Sequence, residues 1–315
     1  MIQVYLLLIA GLALLFASGK FLVDSSVALA RLLKIPTMIV GLTVVAFGTS
    51  APELLVSLQA AFNGYPEMAI GNVVGSNISN ILLVLAITAL VYPIPVPASS
   101  LRRDWPMMAG ISLLLFLMAY DLRLSRSEGL ILVLLLLLYI GFAVWMGRRE
   151  KRGNEAIASD GKGGASMAWW VALLLLLASV GGLALGADLL VNNAALIAEE
   201  FGVSKRIISI SMVAVGTSIP ELTTSVIAAL KKESDLSVGN IIGSNIMNIL
   251  SVLGLTSVIA PIRVEREIAC FDIPAMLITG FLLLPLMLPA ARARITRFEG
   301  LFMILLYLLY IYLIF

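Results

Sequence analysis

Residues 44–57, VVAFGTSAPELLVS, place Glu53 inside an otherwise apolar stretch, and residues 212–225, MVAVGTSIPELTTS, place Glu221 in nearly the same words. Both stretches belong to a longer duplication. Segments 39–94 and 207–262 align without a gap at a constant offset of 168, with 26 identities in 56 positions. The matches include Gly48-Thr49-Ser50 with Gly216-Thr217-Ser218, Pro52-Glu53 with Pro220-Glu221, and GSNISNIL at 75–82 with GSNIMNIL at 243–250. Most matched residues are small or polar, so shared hydrophobicity does not account for them. A duplication kept only for packing explains the repeat but leaves the two acids unexplained.

The setting of those acids is unusually apolar. Of 315 residues, 61% are hydrophobic and 13% charged, and the mean hydropathy is +1.06. Soluble domains carry about twice that share of charge. The apolar runs are too long for barrel strands, which leaves helices as the spanning element. A net charge of +2 and the lack of basic blocks with interleaved aromatics point away from nucleic acid. The single cysteine, Cys270, rules out an intrachain disulfide, and the absence of histidine removes the commonest zinc ligand and proton shuttle. The first apolar run has no basic segment ahead of it and reads as a first spanning helix rather than a cleaved leader.

Ten candidate spans emerge, near 3–30, 36–62, 68–92, 105–121, 127–147, 167–198, 204–230, 236–260, 270–289 and 297–315. With the N-terminus outside, inward connections carry fourteen Lys/Arg and outward ones six. The bias of basic residues to the cytoplasmic side therefore predicts both termini outside. Segment 148–166, charged and Gly-rich, reads as a cytoplasmic linker between halves 1–147 and 167–315. Five spans per half is an odd number, so the second half enters from the opposite face. The expected fold is an all-α polytopic membrane protein, ten transmembrane helices in two inverted five-helix repeats, with broken helices meeting at the midplane.

The motifs supply a chemistry. Pro52 and Pro220 lack an N–H, so the helix is expected to break and to bare the carbonyls of Gly48 and Gly216. Thr49, Ser50, Thr217 and Ser218 add hydroxyl oxygens, and Glu53 and Glu221 add charge. An acid at the bilayer centre costs at least about 2.5–3.5 kcal/mol. No basic residue stands between the loops in these spans, and Lys20, paired by position with Asp188, cannot neutralise two glutamates; those two are expected to be structural, pairing or snorkelling to an interface. A bound cation is the natural counter-charge. In GSNxxN, Ser76 with Asn80 and Ser244 with Asn248 share a helix face and turn to the ion. Asn77 and Asn245 bridge backbone or neighbouring helices, and the glycines allow close helix approach. Carboxylates, hydroxyls, amide oxygens and carbonyls make an all-oxygen cage suited to Ca²⁺ or Na⁺, with nothing for a soft metal.

These paired motifs resemble the α-repeats of the cation/Ca²⁺ exchanger superfamily, particularly its prokaryotic sodium/calcium branch, over essentially the whole chain. The resemblance implies exchange of Ca²⁺ for Na⁺ by alternating access in a prokaryotic plasma membrane, with helices one and six sliding across the core. It also implies no cofactor, no enzymatic activity and no obligate protein partner. By motif position it assigns Glu53 and Glu221 as shared ligands, the hydroxyl or carbonyl oxygens of Thr49, Ser50, Thr217 and Ser218, the backbone carbonyls of Ala46 and Ala214, and Na⁺ positions at Ser76 and Ser244. Relatives usually carry an aspartate at one position equivalent to Asn80 or Asn248, whereas asparagine stands at both here. Potassium dependence is therefore not expected, and the number of Na⁺ per Ca²⁺ stays open. Three-for-one exchange moves one charge, worth about 2.3 kcal/mol per 100 mV, and two-for-one moves none. A cation/proton exchanger is the chief alternative, because buried glutamates can carry protons. A cation channel lacks support from a self-contained inverted repeat, and no nucleophile motif or HExxH favours an enzyme.

Overall fold

The computed structural model describes residues 2–154, 168–201, 216–287 and 294–314. Segment 155–167 of the expected linker, and 202–215, which opens the seventh expected span, lie outside the described residues. In chain order the helices are α1 (Ile2–Leu33), α2 (Thr37–Thr49), α3 (Ala51–Phe62), α4 (Met68–Val91), α5 (Trp105–Met118), α6 (Arg126–Asn154), α7 (Trp169–Glu200), α8 (Ile219–Leu230), α9 (Ser234–Ile259), α10 (Ile268–Met287) and α11 (Arg297–Ile314). Among the described residues seven of them, α1, α4, α6, α7, α9, α10 and α11, are long and apolar enough to cross a membrane. The bent pair α2–α3 makes an eighth, with a 41° bend. The π-helical turn Ser100–Asp104 runs straight into α5 and brings Arg102, Arg103 and Asp104 to its start, while α8, at 12 residues, is shorter than a bilayer crossing requires.

Burial separates an inner from an outer set. The apolar windows of α4 and α9 are 78% and 89% buried, whereas those of α1, α6, α7, α10 and α11 are 17–33% buried. The inner helices are those that carry GSNxxN. Their polar residues turn inward because lipid offers them no partner, while the Leu-rich outer helices lose nothing by facing it.

Glycines set how closely the helices approach. A Cβ on Gly41 of α2 would lie 2.8 Å from the Leu236 carbonyl oxygen, and one on Gly239 of α9 would lie 2.8 Å from that of Met38. On the outer side α1 and α7 cross at Gly11 and Gly186, each Cβ position 3.0–3.1 Å from the other's carbonyl oxygen. Such backbone-to-backbone contact is available only without side chains.

Two short antiparallel ladders tie the halves together. Strand β1 (Ile94–Pro95) pairs with β4 (Arg294–Ile295), and β2 (Arg123–Leu124) with β3 (Ile262–Arg263). Beside them, Arg126 at the start of α6 donates to the Ile259 carbonyl at 3.3 Å, and Arg297 at the start of α11 donates to the Leu90 carbonyl at 3.0 Å. Each arginine thus caps carbonyls at the end of the other half's inner helix. Both outer helices open with a carboxylate reaching back to a backbone N–H, Glu128 to Ser125 at 2.7 Å and Glu299 to Thr296.

Helices α3 and α8 end alike, with backbone bonds repeated at the offset of 168: Gly64 N–H to the Ala61 carbonyl and Lys232 N–H to that of Ala229, both 3.2 and 3.0 Å respectively. Both residues are left-handed, Gly64 at φ 87° and Lys232 at φ 63°. Glycine takes that conformation freely and lysine does not. Lys232→Gly is therefore expected to stabilise the detergent-solubilised protein by about 1 kcal/mol and Gly64→Ala to destabilise it by a similar amount, read as opposite shifts in thermal unfolding.

Candidate functional site

The two GTSxPE motifs shape their helices in the same way. Ser50 (φ −82°, ψ 6°) and Ser218 (φ −84°, ψ 0°) leave helical geometry, and Pro52 and Pro220 then occupy the first turn of α3 and α8. Proline fits there because its missing N–H belongs to a group that a first turn leaves unpaired anyway. The chain therefore breaks at the serine and restarts, instead of kinking around the proline. This changes one expectation: backbone N–H groups at the first break turn to the carbonyls of Ala46 and Gly48, so that of Gly48 is not bare. Glu53 and Glu221 end up in the first turn of the restarted helices, where the helix dipole favours a carboxylate.

Both glutamates are 0% exposed, and they lie within electrostatic reach of each other. Among the described residues no lysine or arginine is buried. The third buried acid, Asp104, differs in having a cation, the Arg103 guanidinium at 2.7 Å. Both oxygens of Glu53 and Oε2 of Glu221 accept no hydrogen bond of normal geometry; the Thr217 hydroxyl stands beside Glu53. Ser50 donates to Glu221 Oε1 at 3.2 Å, across the two halves.

Hydroxyls of one half meet hydroxyls of the other. Thr49 Oγ1 is 3.3 Å from Ser244 Oγ, and Ser76 Oγ is 3.2 Å from Thr217 Oγ1. The Ala46 carbonyl accepts the Ser50 N–H at 3.0 Å and the Thr49 hydroxyl at 3.3 Å. Ala214 lies outside the described residues. Ser218 is buried and its Oγ has no partner.

The asparagines behave differently from one another. Asn77 donates to the Asn245 carbonyl at 3.2 Å, and Asn245 donates to that of Ile241 at 2.8 Å. Asn248 donates to Asn77 Oδ1 at 3.1 Å, which leaves Asn248 Oδ1 without a donor. Asn80, 0% exposed, makes no hydrogen bond through either amide atom. A π-helical turn begins at each, Asn80–Leu85 and Asn248–Leu253, a local widening frequent at functional sites. The Glu221 helix packs on the first turn and the Glu53 helix on the second.

Lys20 and Asp188 are both exposed and no ion pair joins them. Asp188 instead accepts from Asn192 at 2.8 Å, and the Lys20 carbonyl accepts from Lys231, which is paired with Asp24. Motif reading passed over Asn72 and Asn240 as ring residues, although both stand in the duplicated Gly-Asn step. Their amide nitrogens donate to the Glu53 and Glu221 backbone carbonyls at 3.3 and 3.4 Å.

The arrangement is a buried ring of oxygens with two acids, unpaired acceptors and, among the described residues, no buried base. Among the described residues no group of three or more His, Cys, Asp or Glu forms a conventional metal centre. Buried carboxylates with hydroxyl neighbours but no counter-charge are costly, and a hard cation resolves that cost with the oxygen set present.

Comparisons with known proteins agree. The family described as sodium/calcium exchanger protein matches residues 3–145 and 171–315. The chain is 38% identical to the putative antiporter CaxA of Alkalimonas amylolytica, covering 100% of this chain and 99% of that one. It is 30% identical to the sodium/calcium exchanger MaX1 of Methanosarcina acetivorans, covering 99% and 98%. The solved structure of the sodium-calcium exchanger NCX_Mj soaked with Na⁺ and Ca²⁺ superposes with a TM-score of 0.82 at 30% identity, covering 99% of this chain and 98% of that one. With this fold and these motifs, the chain belongs to the sodium/calcium exchanger family of integral membrane proteins.

Proposed function

We propose that the chain is a secondary antiporter exchanging Ca²⁺ for Na⁺ at the ring around Glu53 and Glu221. The observation that carries this reading is the pair of fully buried glutamates with three unpaired carboxylate oxygens and, among the described residues, no buried base. Together they hold two negative charges, which one Ca²⁺ or two Na⁺ neutralise. Glu53 and Glu221 are the shared ligands. Thr49, Ser50, Thr217, Ser218 and the carbonyls of Ala46 and Ala214 contribute neutral oxygens, while Ser76 and Ser244 flank with Na⁺ positions. Asn80 and Asn248 offer amide oxygens from the two π turns without adding charge.

Ten spans in two inverted halves, 1–147 and 167–315, joined by a linker at 148–166, fit the connectivity. The β1–β4 ladder joins the connection after the third expected span to that before the tenth, and β2–β3 joins those after the fourth and eighth. Strands pair only on one side of a membrane, and each ladder spans an even number of expected crossings. On that span count the two ladders lie on opposite faces. Hydrogen bonds repeated at the offset of 168, such as those of Asn72 and Asn240, support the internal two-fold relation. The setting is a prokaryotic plasma membrane, with no cofactor, no enzymatic step and no obligate partner.

The deciding experiment is ⁴⁵Ca²⁺ uptake into proteoliposomes with pH clamped. Uptake is expected when Na⁺ is loaded inside and absent when Na⁺ is equal on both sides, and repeating it under a voltage clamp counts the Na⁺. Uptake driven by a pH gradient and indifferent to Na⁺ would replace this reading with proton coupling.

A further inference from the structure

Asn72 and Asn240 occupy the same place in the two repeats and do the same thing with their amide nitrogens. Asn72 Nδ2 donates to the Glu53 carbonyl at 3.3 Å and to Ser57 Oγ at 3.1 Å; Asn240 Nδ2 donates to the Glu221 carbonyl at 3.4 Å and to Ser225 Oγ at 3.0 Å. Each nitrogen grips the first turn of a restarted helix, the turn that bears the glutamate. These bonds also settle which amide atom is which, because a backbone carbonyl only accepts.

The amide oxygens break the symmetry. Asn240 Oδ1 accepts the hydroxyl of Thr49, from the opposite half, at 3.1 Å. Asn72 is buried, yet its Oδ1 has no protein donor, although Thr217, the counterpart of Thr49, is paired with Ser76 just as Thr49 is paired with Ser244. A hydroxyl has one proton and two lone pairs. To ligate a cation it must send the proton elsewhere and turn its lone pairs to the ion. Of the two oxygens that accept from Thr49, Asn240 Oδ1 at 3.1 Å is nearer than the Ala46 carbonyl at 3.3 Å, and it is the seat to which the single proton turns.

We propose that Asn72 and Asn240 are positioning residues: each nitrogen fixes its own half's glutamate turn, and each oxygen is a proton seat for the opposite half's threonine. In this conformation only the Asn240 seat is filled, so Thr49 is oriented from its asparagine and Thr217 is not oriented from Asn72. The two sides of the ring therefore hold their ion unequally, although the repeats that build them match. A conformation in which Thr217 reaches Asn72 Oδ1 and Thr49 leaves Asn240 is the mirrored arrangement. The inference rests on the reading of the glutamate ring as the cation site.

The test is a pair of double-mutant cycles read by equilibrium ⁴⁵Ca²⁺ binding to the purified full chain. Thr49→Val and Asn240→Ala are each expected to weaken binding, and together to weaken it no more than the larger single change. Their coupling is expected to reach up to about tenfold, the scale of one hydrogen bond. Thr217→Val and Asn72→Ala are expected to multiply independently. Thr49→Ser keeps the hydroxyl and so keeps the coupling to Asn240. If Asn240→Ala does not fold, the isosteric Asn240→Asp retains the acceptor, and Thr49→Val is expected to remain coupled to it in comparison with the wild type. Independent effects at 49 and 240, or equal coupling in both pairs, overturn the seat. Glu53→Gln in the same assay tests the underlying reading: binding that survives it rejects the cation ring itself, whereas binding lost there with independent effects at 49 and 240 rejects only the seat.

Discussion

Glu53→Gln and Glu221→Gln each lower Na⁺-gradient-driven ⁴⁵Ca²⁺ uptake by at least about 100-fold while leaving a well-folded protein. Each side chain is 0% exposed, so no water screens the loss of one of two charges facing the ion. Leaving a buried charge without its partner typically costs about 3–5 kcal/mol, and about 2.7 kcal/mol already corresponds to 100-fold. Glutamine preserves shape and one oxygen, so lost charge rather than lost packing dominates. The same change has the opposite sign for the ion-free protein, where the carboxylate is buried with no counter-charge and the amide is not charged at all. Thermal unfolding in cation-free buffer is thus expected to move up or stay level in both variants, and the Ca²⁺-dependent upward shift to disappear. Uptake within about threefold of the wild type in either variant would reject the glutamate pair as the transport site.

The second large effect concerns assembly. Gly41→Leu and Gly239→Leu are each expected to destabilise the protein by more than about 3 kcal/mol, because the first carbon of the side chain already meets a backbone carbonyl at 2.8 Å. Backbone cannot swing aside as a side-chain tip can, so α2 and α9 must separate, and the ring separates with them. Gly110→Ala and Gly141→Ala are the controls. Their Cβ positions meet nothing within 4 Å, and alanine in mid-helix is favoured over glycine by roughly 0.5–1 kcal/mol. The measurement is thermal unfolding of the detergent-purified protein together with the fraction recovered monodisperse. Equal behaviour of the two glycine sets would mean that the α2–α9 crossing is not set by glycine contact.

The two predictions depend on different kinds of information. The glutamates were visible in the sequence, since an acid repeated in an apolar helix demands a counter-charge wherever the helix lies. The α2–α9 crossing was visible only as a general expectation that glycines permit close approach. Which glycine meets which carbonyl depends on helix angle and depth, and neither is written in one helix's periodicity.

The same division runs through the ring. Asn77 and Asn245 were read as bridges from their position off the Ser76–Asn80 and Ser244–Asn248 faces, and they bridge in the structure. Spacing could not show that Asn77 also takes the amide proton of Asn248, while both amide atoms of buried Asn80 stay without a hydrogen bond. Lys20 and Asp188 share a position in the repeat but not a contact, because equivalence under duplication relates places in two halves and does not bring them together. The proline rule located the break to within two residues. It misplaced the free carbonyl because a chain that stops and restarts caps its own groups with short-range bonds.

By itself the sequence determined the helical membrane character, the duplication, the acids and hydroxyls that recur in it, and the resemblance to the exchanger family. These follow from composition and from spacing along one helix, where neighbours at three and four residues are fixed by helical geometry. Tertiary structure alone decided that Ser50 reaches Glu221, that Thr49 meets Ser244 and Asn240, and that Asn240 Oδ1 is filled where Asn72 Oδ1 is not. Those contacts join residues 171, 195 and 191 positions apart. They are set by how closely glycine-bearing helices cross, so they arise only when both halves pack together.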